Sequence, residues 1–350
     1  MRLLFIKLKH IGDALLLTPT LVAVRERHPA SEIWVVVRKG SEGILAGCPA
    51  IDRILTTSAP EAGNRRWNEW IRGINLVRQL RRQRFDYAFE LSDGDRGRWL
   101  AWLSGARERV ATRVYTHITW IARRAITRFS DTNWLSGHRV EKDFQLADEV
   151  LALGQPTPAL IFREERTGVW PPAGLLSDFV VLHPGTRWKR KRWPFANWVV
   201  LGRHLQKKGL TVVISTGPDR EEREEAARLQ AELGAGTLNT DGETNWAQLA
   251  GLLHRAKLFV GVDTAAMHLA AACQCPTVAI FGPSMVKFWH PWRVPYRIVS
   301  TPEASAAQNA PDALDIVPQL SCDGVAVHEV IDAAEELLAA KPVAASTTVF

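Results

Sequence analysis

Four short segments combine ionisable side chains with glycine, proline or small residues at spacings that suit chemistry. In Lys9-His10-Ile11-Gly12-Asp13 an apolar run gives way to a glycine and then a carboxylate. If a strand ends here and a helix begins, Gly12 permits the tight turn and Asp13 falls in the first helical turn. The positive end of the helix then favours its ionised form. Such a carboxylate can take a proton from an incoming hydroxyl; the plain alternative is a helix cap. His183-Pro184-Gly185-Thr186 precedes Arg187, Lys189, Arg190, Lys191 and Arg192, five cations in six positions, and then Trp193-Pro194. A basic loop before a helix that starts at proline can hold a diphosphate. It can equally be a solvated basic loop or a nucleic-acid contact. Gly261-Val262-Asp263-Thr264-Ala265-Ala266-Met267-His268 ends a buried strand on Asp263 and opens a helix with small residues. Backbone N–H groups there can approach phosphate oxygens closely. The plain readings are Asp263 as a cap and His268 as a structural histidine. Gly217-Pro218-Asp219-Arg220-Glu221 is either an ordinary turn and cap or a carboxylate placed to meet sugar hydroxyls.

These segments need elements to position them, and strand and helix patterns alternate along the chain. Leu3–Ile6 reads as a buried strand, Gly12–Glu26 as a helix, and Ile33–Val37 and Ile51–Leu55 as strands. Trp67–Gln83 has helical periodicity with an apolar stripe of Trp70, Ile74, Val77 and Leu80. Asp86–Leu91 returns as strand. After Gly154 the Gln155-Pro156-Thr157-Pro158 and Trp170-Pro171-Pro172 clusters bracket a linker. Beyond it the alternation restarts. Strands are expected at Phe179–Leu182, Thr211–Ser215, Leu258–Val262 and Thr277–Phe281. Helices are expected at Phe195–Lys208, Asp219–Leu233, Trp246–Arg255, Ala265–Cys273 and Val325–Ala340. This βαβ repetition implies an α/β chain of two Rossmann-like halves with parallel sheets. The expected boundaries are 1–155, a linker at 156–177, 178–324, a final helix at 325–340 and a disordered tail at 341–350. A ligand is expected in a cleft between the halves, at the carboxyl ends of the strands.

Composition narrows the partners. The 350 residues, 46% hydrophobic and 23% charged, exclude a disordered or fibrous chain. The net charge of +7 is concentrated: residues 65–128 hold 15 Arg, no Lys and six acidic residues. One region therefore carries the basicity, either as solvated helix faces or as a face for something anionic. Cys48, Cys273, Cys275 and Cys322 suit neither a zinc site nor a disulfide framework. No apolar run approaches the ~20 residues of a membrane span. Asp13 and Pro19 interrupt the early apolar stretch, so no signal peptide is expected and the chain reads as cytosolic. Gly-x-Gly-x-x-Gly, Walker and Gly-x-Ser-x-Gly motifs are absent, which removes the usual support for dinucleotide, P-loop and hydrolase readings.

Taken in order, these segments resemble the ADP-heptose:lipopolysaccharide heptosyltransferases, the inverting glycosyltransferase family 9. The likeness is carried by Gly12-Asp13, by His183-Pro184-Gly185 with Lys191-Arg192-Trp193-Pro194, by Asp263-Thr264-Ala265 with His268, and by Val278-Ala279-Ile280-Phe281-Gly282-Pro283. It extends from Arg2 to about Leu338. The resemblance implies a GT-B fold, two facing Rossmann-like domains with the donor held mainly by the second. It implies Asp13 as the general base, Lys191 and Thr186 on the diphosphate, and Asp263, Thr264, Ala265 and His268 at the donor site. Glu221 would lie near the ribose or sugar and Thr244 near the adenine. Arg65, Arg66, Arg96 and Arg98 would bind the acceptor, a phosphorylated and carboxylated glycolipid of the lipopolysaccharide inner core. No metal is implied. A peripheral position on the inner face of the inner membrane follows, with Trp67, Trp70, Trp99 and Trp102 as interface candidates. Two departures stand out: Ala265 occupies a position where many members have glycine, and the basic loop is about one residue longer than in the first-heptose enzymes. Lys7-Leu8-Lys9-His10 and Lys287-Phe288-Trp289-His290-Pro291-Trp292 look closer to the enzymes adding the third, branching heptose. The rivals are the same fold with a protein or another glycan as acceptor, and a nucleic-acid-binding protein resting on charge alone.

Overall fold

The structure, a computed structural model, describes residues 1–57, 67–113, 119–133, 135, 137–163, 170 and 178–340, without the side chains of 67–70, 121 and 122. Arg65, Arg66, the tail 341–350 and most of the expected linker lie outside the described residues. The chain divides into two compact units, Met1–Glu165 and Arg166–Phe350.

The first unit runs β1 (Arg2–Lys7), α1 (Ile11–Leu15), α2 (Thr18–Arg27), β2 (Glu32–Arg38), β3 (Arg53–Thr57), α3 (Trp67–Gln83), β4 (Tyr87–Glu90), α4 (Asp95–Leu103), β5 (Glu108–Thr112), α5 (Trp120–Arg124), β6 (Arg128–Ser130) and α6 (Arg139–Leu151). Its six strands pair in the order β3-β2-β1-β4-β5-β6, every pair parallel. Leu3, Leu4, Phe5 and Ile6 are fully buried, as a central strand covered on both faces requires. α3 packs on α4 and α4 on α5, while α2 packs on α6. Between α3, α4 and the sheet lies a core of Leu4, Ile6, Trp34, Val36, Leu80, Phe85 and Leu100.

The second unit runs β7 (Phe179–His183), α7 (Phe195–Lys207), β8 (Thr211–Ile214), α8 (Arg220–Leu233), β9 (Thr237–Asn239), α9 (Trp246–Leu253), β10 (Leu258–Val262), α10 (Ala265–Ala272), β11 (Thr277–Phe281), α11 (Val286–Trp289), β12 (Tyr296–Ser300), α12 (Pro302–Ala307), α13 (Ala313–Ile316) and α14 (Val327–Ala339). Its sheet, β12-β11-β10-β7-β8-β9, is again wholly parallel. Read from β9, the order within the unit is third, second, first, fourth, fifth, sixth, as in the first unit. α14 packs against α7 and the strands β10 to β12. Trp193, 1% exposed, stacks edge-on against Trp198 and donates its indole N–H to the carbonyl of Val325 at 2.9 Å. The end of the basic loop is thereby clamped to the core.

Three expectations change. The single helix over Gly12–Glu26 is two helices, because Pro19 falls in the first turn of α2. Proline has no N–H for a continuing helix and collides with the carbonyl four residues earlier, here that of Leu15. The Thr18 hydroxyl takes up that carbonyl at 2.9 Å. The stripe on α3 is buried at Leu80 but reaches solvent at Ile74, which is 45% exposed. The edge strands β6 and β9, three residues each, were not expected, since Arg-Phe-Ser and Thr-Leu-Asn carry no apolar run.

Gly282 shows how tightly the carboxyl end of β11 is packed. A Cβ there would come within 2.7 Å of the Ser321 backbone and 2.8 Å of the Cys322 nitrogen. Gly73 on α3 has nothing within 4 Å. Gly282→Ala should therefore destabilise by ~1–3 kcal/mol, and Gly73→Ala should be neutral or stabilise by up to ~1 kcal/mol. Urea unfolding of the two variants checks the contrast, and equal midpoints would refute it.

Candidate active site

In each sheet the strand order reverses once: between β1 and β4, and between β7 and β10. Loops leaving the carboxyl ends of such neighbours depart in opposite directions and open a crevice. All four segments singled out in the sequence lie at the carboxyl edge of a sheet, and three of them leave these strands.

In the first unit Asp13 is 6% exposed, and its carboxylate accepts the His10 N–H at 3.0 Å. It thus closes the amino end of α1 as half of a reciprocal cap. The cap reading is realised. Behind it stands a set of buried charges that sequence reasoning missed. Lys7, from the end of β1, grips both oxygens of Asp143 on α6 at 2.9 and 2.6 Å. Lys142 binds Asp93 in the β4–α4 turn, which also accepts the Thr112 hydroxyl at 2.7 Å and lies 3.8 Å from Lys9. Asp93 holds a left-handed φ of 55°, a strained conformation for a non-glycine residue. Burial acts to lower the Lys7 ammonium, but Asp143, Asp13 and Asp93 outweigh it and the net displacement is upward. Burial lowers Lys142 to about 8, against the pull of Asp93. The spacing of Lys7 and Asp143, 136 residues apart, gives no local signal.

Of the expected acceptor arginines, Arg96 is exposed and donates to the Thr57 hydroxyl at 2.8 Å. Arg98 is 1% exposed, with Nε 3.9 Å from the Glu90 carboxylate and Nη2 donating to the Thr112 carbonyl. Its side chain is built into the interior and does not present its charge to solvent. Burial raises Glu90, also fully buried, to about 7.

In the second unit Lys191 leaves a one-turn 3-10 segment, Lys189–Lys191, and donates to Asp263 twice, to the carboxylate at 2.6 Å and to the main-chain carbonyl at 3.1 Å. His268, 4% exposed, lies 4.0 Å from the other Asp263 oxygen. Burial would lift the Asp263 carboxyl, but Lys191, His268 and hydrogen bonds from Lys191 and Ser284 hold it below the usual carboxylate range. Thr264 is the N-cap of α10 yet makes no capping bond, and its hydroxyl is buried without a partner among the described residues. The first-turn N–H groups of α10 therefore lack a side-chain cap at the place where Lys191 arrives. Thr186 is 4% exposed, and its hydroxyl accepts the Trp188 N–H.

The five-cation loop does not act as one cradle. Arg190 reaches the Pro318 carbonyl and the Gln319 side chain, both at 3.0 Å. Arg192 pairs with Glu221 at 2.5 Å. Glu221 is exposed, and the Arg192 hydrogen bond holds its carboxyl below the usual range. The half-buried neighbour Glu222 is the carboxylate that stands against the loops. A Cβ on Gly185 would come 2.8 Å from its Oε2, and one on Gly217 3.0 Å. Asp219 caps α8 by accepting the Glu221 and Glu222 N–H groups. That puts residue 222 at the third helical position, whose side chain turns back toward the helix start; this was the available signal. Thr244 is half-buried in the loop after Gly242. That loop lies against the Gly217 turn, since a Cβ on Gly242 would meet the Gly217 carbonyl at 2.5 Å.

Among the described residues no group of three or more His, Cys, Asp or Glu is placed to hold a metal ion. None of their helices is long and apolar enough to cross a membrane.

Two six-stranded parallel sheets flanked by helices, each reversing its strand order once, give the α/β architecture of the GT-B type. The profile of glycosyltransferase family 9 (heptosyltransferase) matches residues 74–316. The chain belongs to this family and is a glycosyltransferase. Lipopolysaccharide heptosyltransferase 3 of Escherichia coli is 26% identical over 297 residues, covering 80% of this chain and 83% of that protein. Lipopolysaccharide heptosyltransferase 1 of Pseudomonas aeruginosa is 29% identical over 305 residues, covering 81% and 79%. Among solved structures, a family 9 glycosyl transferase from Veillonella parvula superposes with a TM-score of 0.80 at 21% identity, covering 96% of this chain and 97% of that one. The E. coli heptosyltransferase WaaC with ADP gives 0.78 at 20% identity, covering 96% and 100%; both likenesses bear on the fold.

His183 yields a pH prediction. Its Nδ1 lies 2.8 Å from the Ser215 hydroxyl, and burial pushes its imidazole down to about 4 from an ordinary 6.5. Between these values the unfolded chain binds a proton that the folded chain refuses, so stability falls as pH falls from 6.5 to 4. The loss is on the order of 3 kcal/mol. His183→Asn should lose stability at pH 7, and its deficit against wild type should shrink by about that amount at pH 4. Urea unfolding across this range reads the effect; parallel pH profiles would refute it.

Proposed function

We propose that this chain transfers a heptose from ADP-heptose to the inner core of lipopolysaccharide in one inverting displacement. The observation that carries the reading is the Lys191–Asp263–Thr264 arrangement at the start of α10. A lysine, an unpartnered buried hydroxyl and a helix start without a side-chain cap converge there, which is the chemistry a diphosphate requires. Ala265 opens that helix, His268 lies 4.0 Å from Asp263, and Thr186, on the same loop as Lys191, is assigned to the diphosphate with it. Glu222, rather than Glu221, is the carboxylate beside Gly185 and Gly217, and so takes the sugar or ribose hydroxyls. Thr244, on the adjacent loop, fits an adenine contact.

Asp13 serves as the base. The acceptor hydroxyl gives its proton to Asp13 as its oxygen bonds to the anomeric carbon. The bond from that carbon to the phosphate oxygen breaks, and ADP departs with the electron pair toward Lys191 and the α10 N–H groups. Inversion follows from a single displacement. The segments Lys7–His10 and Lys287–Trp292 favour the third, branching heptose as the one added.

Asp13→Asn should lower kcat by roughly 10²–10⁴ while ADP binding, read by calorimetry, stays within twofold. Lys191→Met should weaken ADP about 10- to 100-fold, the ~1.5–3 kcal/mol of a charge-assisted hydrogen bond. Turnover of Asp13→Asn near the wild-type rate would eliminate Asp13 as base. Mass gain on truncated lipopolysaccharides names the acceptor.

The acceptor is a glycolipid, and the layer formed by α3, α4 and α5 suits an anionic membrane surface. It exposes Ile71, Ile74, Trp102 and Trp120 at 44, 45, 50 and 65%, with exposed Arg72, Arg78, Arg81, Arg82, Arg123 and Arg124 around them. Near-surface cations contribute ~1 kcal/mol each on anionic lipid, and tryptophan prefers the interface. Trp102→Ala with Trp120→Ala should cut sedimentation with phosphatidylglycerol vesicles several-fold. Unchanged sedimentation, or equal binding to phosphatidylcholine vesicles, would refute the membrane contact.

A further inference from the structure

Lys7 and Asp13 stand on either side of the short segment 8–12. Both are buried, at 4 and 6% exposed. An ammonium and a carboxylate taken out of water on one loop gain from pairing with each other. Lys7 instead donates to both oxygens of Asp143 on α6, at 2.9 and 2.6 Å. Asp143 is fully buried, and α6 brings it from the far end of the unit's chain. Against the cost of burial, the carboxylates that favour the Lys7 ammonium are Asp143 first, then Asp13, then Asp93. Asp13 is therefore the next carboxylate to which Lys7 would turn.

The surrounding charges leave that turn open. Asp93 is engaged by Lys142 and the Thr112 hydroxyl, and lies 3.8 Å from Lys9. Arg139, 7% exposed on α6, adds a further cation whose carboxylate neighbours are Asp93, Asp143 and Asp13. On the same helix His138 accepts the Val140 N–H on Nδ1, and Glu141 accepts the His138 N–H. The exposed His10 gives Asp13 its main-chain N–H. Ile6 and its strand partners Val36 and Glu90 share the other face of the sheet, toward α4. Alternation along the strands turns Glu90 and Arg38 away from Lys7. Around the segment 8–12, Lys7, Lys9, Arg139 and Lys142 thus meet Asp13, Asp93 and Asp143. Without Asp143 the same cations would meet two carboxylates, one of them already held by Lys142.

We propose that Asp143 is a positioning residue which, by holding Lys7, keeps that ammonium off Asp13 and so leaves Asp13 able to take the acceptor's proton. The proposal rests on the reading of Asp13 as the base. A carboxylate gripped by an ammonium takes up a proton less readily. The ammonium also occupies the oxygen that the hydroxyl must reach. Asp143, buried behind Lys7, acts through it and meets no substrate.

The test uses the full-length enzyme with ADP-heptose and one truncated lipopolysaccharide, whose own ionisations are common to all variants. The acid limb of kcat/KM reads the base of the free enzyme. In Asp143→Asn, Lys7 turns to Asp13, and the limb should move down by about one pH unit. Its kcat at pH 7 should fall about 10-fold. In Lys7→Met the pull on Asp13 is gone, and the limb should move up. Adding Lys7→Met to Asp143→Asn should therefore raise kcat several-fold, a second loss that repairs the first. An ion pair of merely structural use leaves the limb in place and makes the double variant no better than Asp143→Asn. Either of those results, or limbs that move in the same direction, overturns the proposal. Where circular dichroism shows Asp143→Asn unfolded, Lys7→Met decides alone, and an acid limb at or below that of wild type overturns it. Asp13→Asn separates the two readings. Its turnover near the wild-type rate defeats Asp13 as base and this proposal with it. Its collapse, with unmoved limbs in the Lys7 and Asp143 variants, defeats this proposal only.

Discussion

The molecule is organised by one topological constraint: a parallel strand can be followed by its neighbour only through a crossover. When successive crossovers change direction, two adjacent strands send their loops apart. Each unit has one such reversal, after β1 in the first and after β7 in the second. Three of the four segments singled out in the sequence leave strands at these edges. The base candidate leaves β1, the lysine loop leaves β7, and the partner helix start leaves β10. Moving any of these residues to another strand end would place it where loops run together and the backbone closes over it.

The crevices are kept open by polar groups that the core would otherwise expel. Five buried ionisable side chains surround the β1–β4 edge: Lys7, Asp143, Lys142, Asp93 and Arg139. Isolated, each would cost several kcal/mol to bury. Lys7 with Asp143 and Lys142 with Asp93 neutralise one another and tie β1, the β4–α4 turn and α6 into one frame. Truncating one member strands its partner, which is why such frames resist drift more than their modest net stabilisation suggests. Asp93 at a φ of 55° is held in its strained conformation by this frame, through Lys142 and Thr112.

This contrast explains what could be read from the residues alone. Strands such as Leu258–Val262 and Thr277–Phe281 were legible to the residue, because a doubly covered strand must be continuously apolar. α3 was legible over its full length for the complementary reason of period. The three-residue edge strands β6 and β9 were not, since so short an edge needs no apolar run. At the site, motifs with a local grammar were visible: a glycine or proline turn, then a helix start. Lys7 with Asp143 and Arg98 with Glu90 were not, because their partners are distant in sequence or arrive from another element. Arg98 illustrates the error this produces. Membership of an arginine-rich window suggested a surface role, whereas its side chain is a buried part of the sheet edge. Glu221 and Glu222 differ by one position, and only the capping geometry of Asp219 decides which of them faces the glycine loop.

The same geometry bears on how the second unit would favour reaction over mere binding. Lys191 is engaged by Asp263, so its charge is already balanced by a carboxylate that its neighbours keep ionised. A neutral balance attracts a ground-state diphosphate less than a bare lysine would. On the proposed reading, negative charge grows on the departing phosphate as the sugar bond breaks. At that stage Lys191 gains more from the phosphate than from Asp263, and its ammonium can follow the growing charge while His268 and Ser284 continue to satisfy the carboxylate. Interactions that strengthen only as charge develops accelerate chemistry, while uniform ones merely tighten binding. On that reading the Lys191–Asp263 pair would act as a counterpoise that reserves part of the lysine's electrostatic pull for the leaving group, with the start of α10, which has no side-chain cap, supplying the constant part.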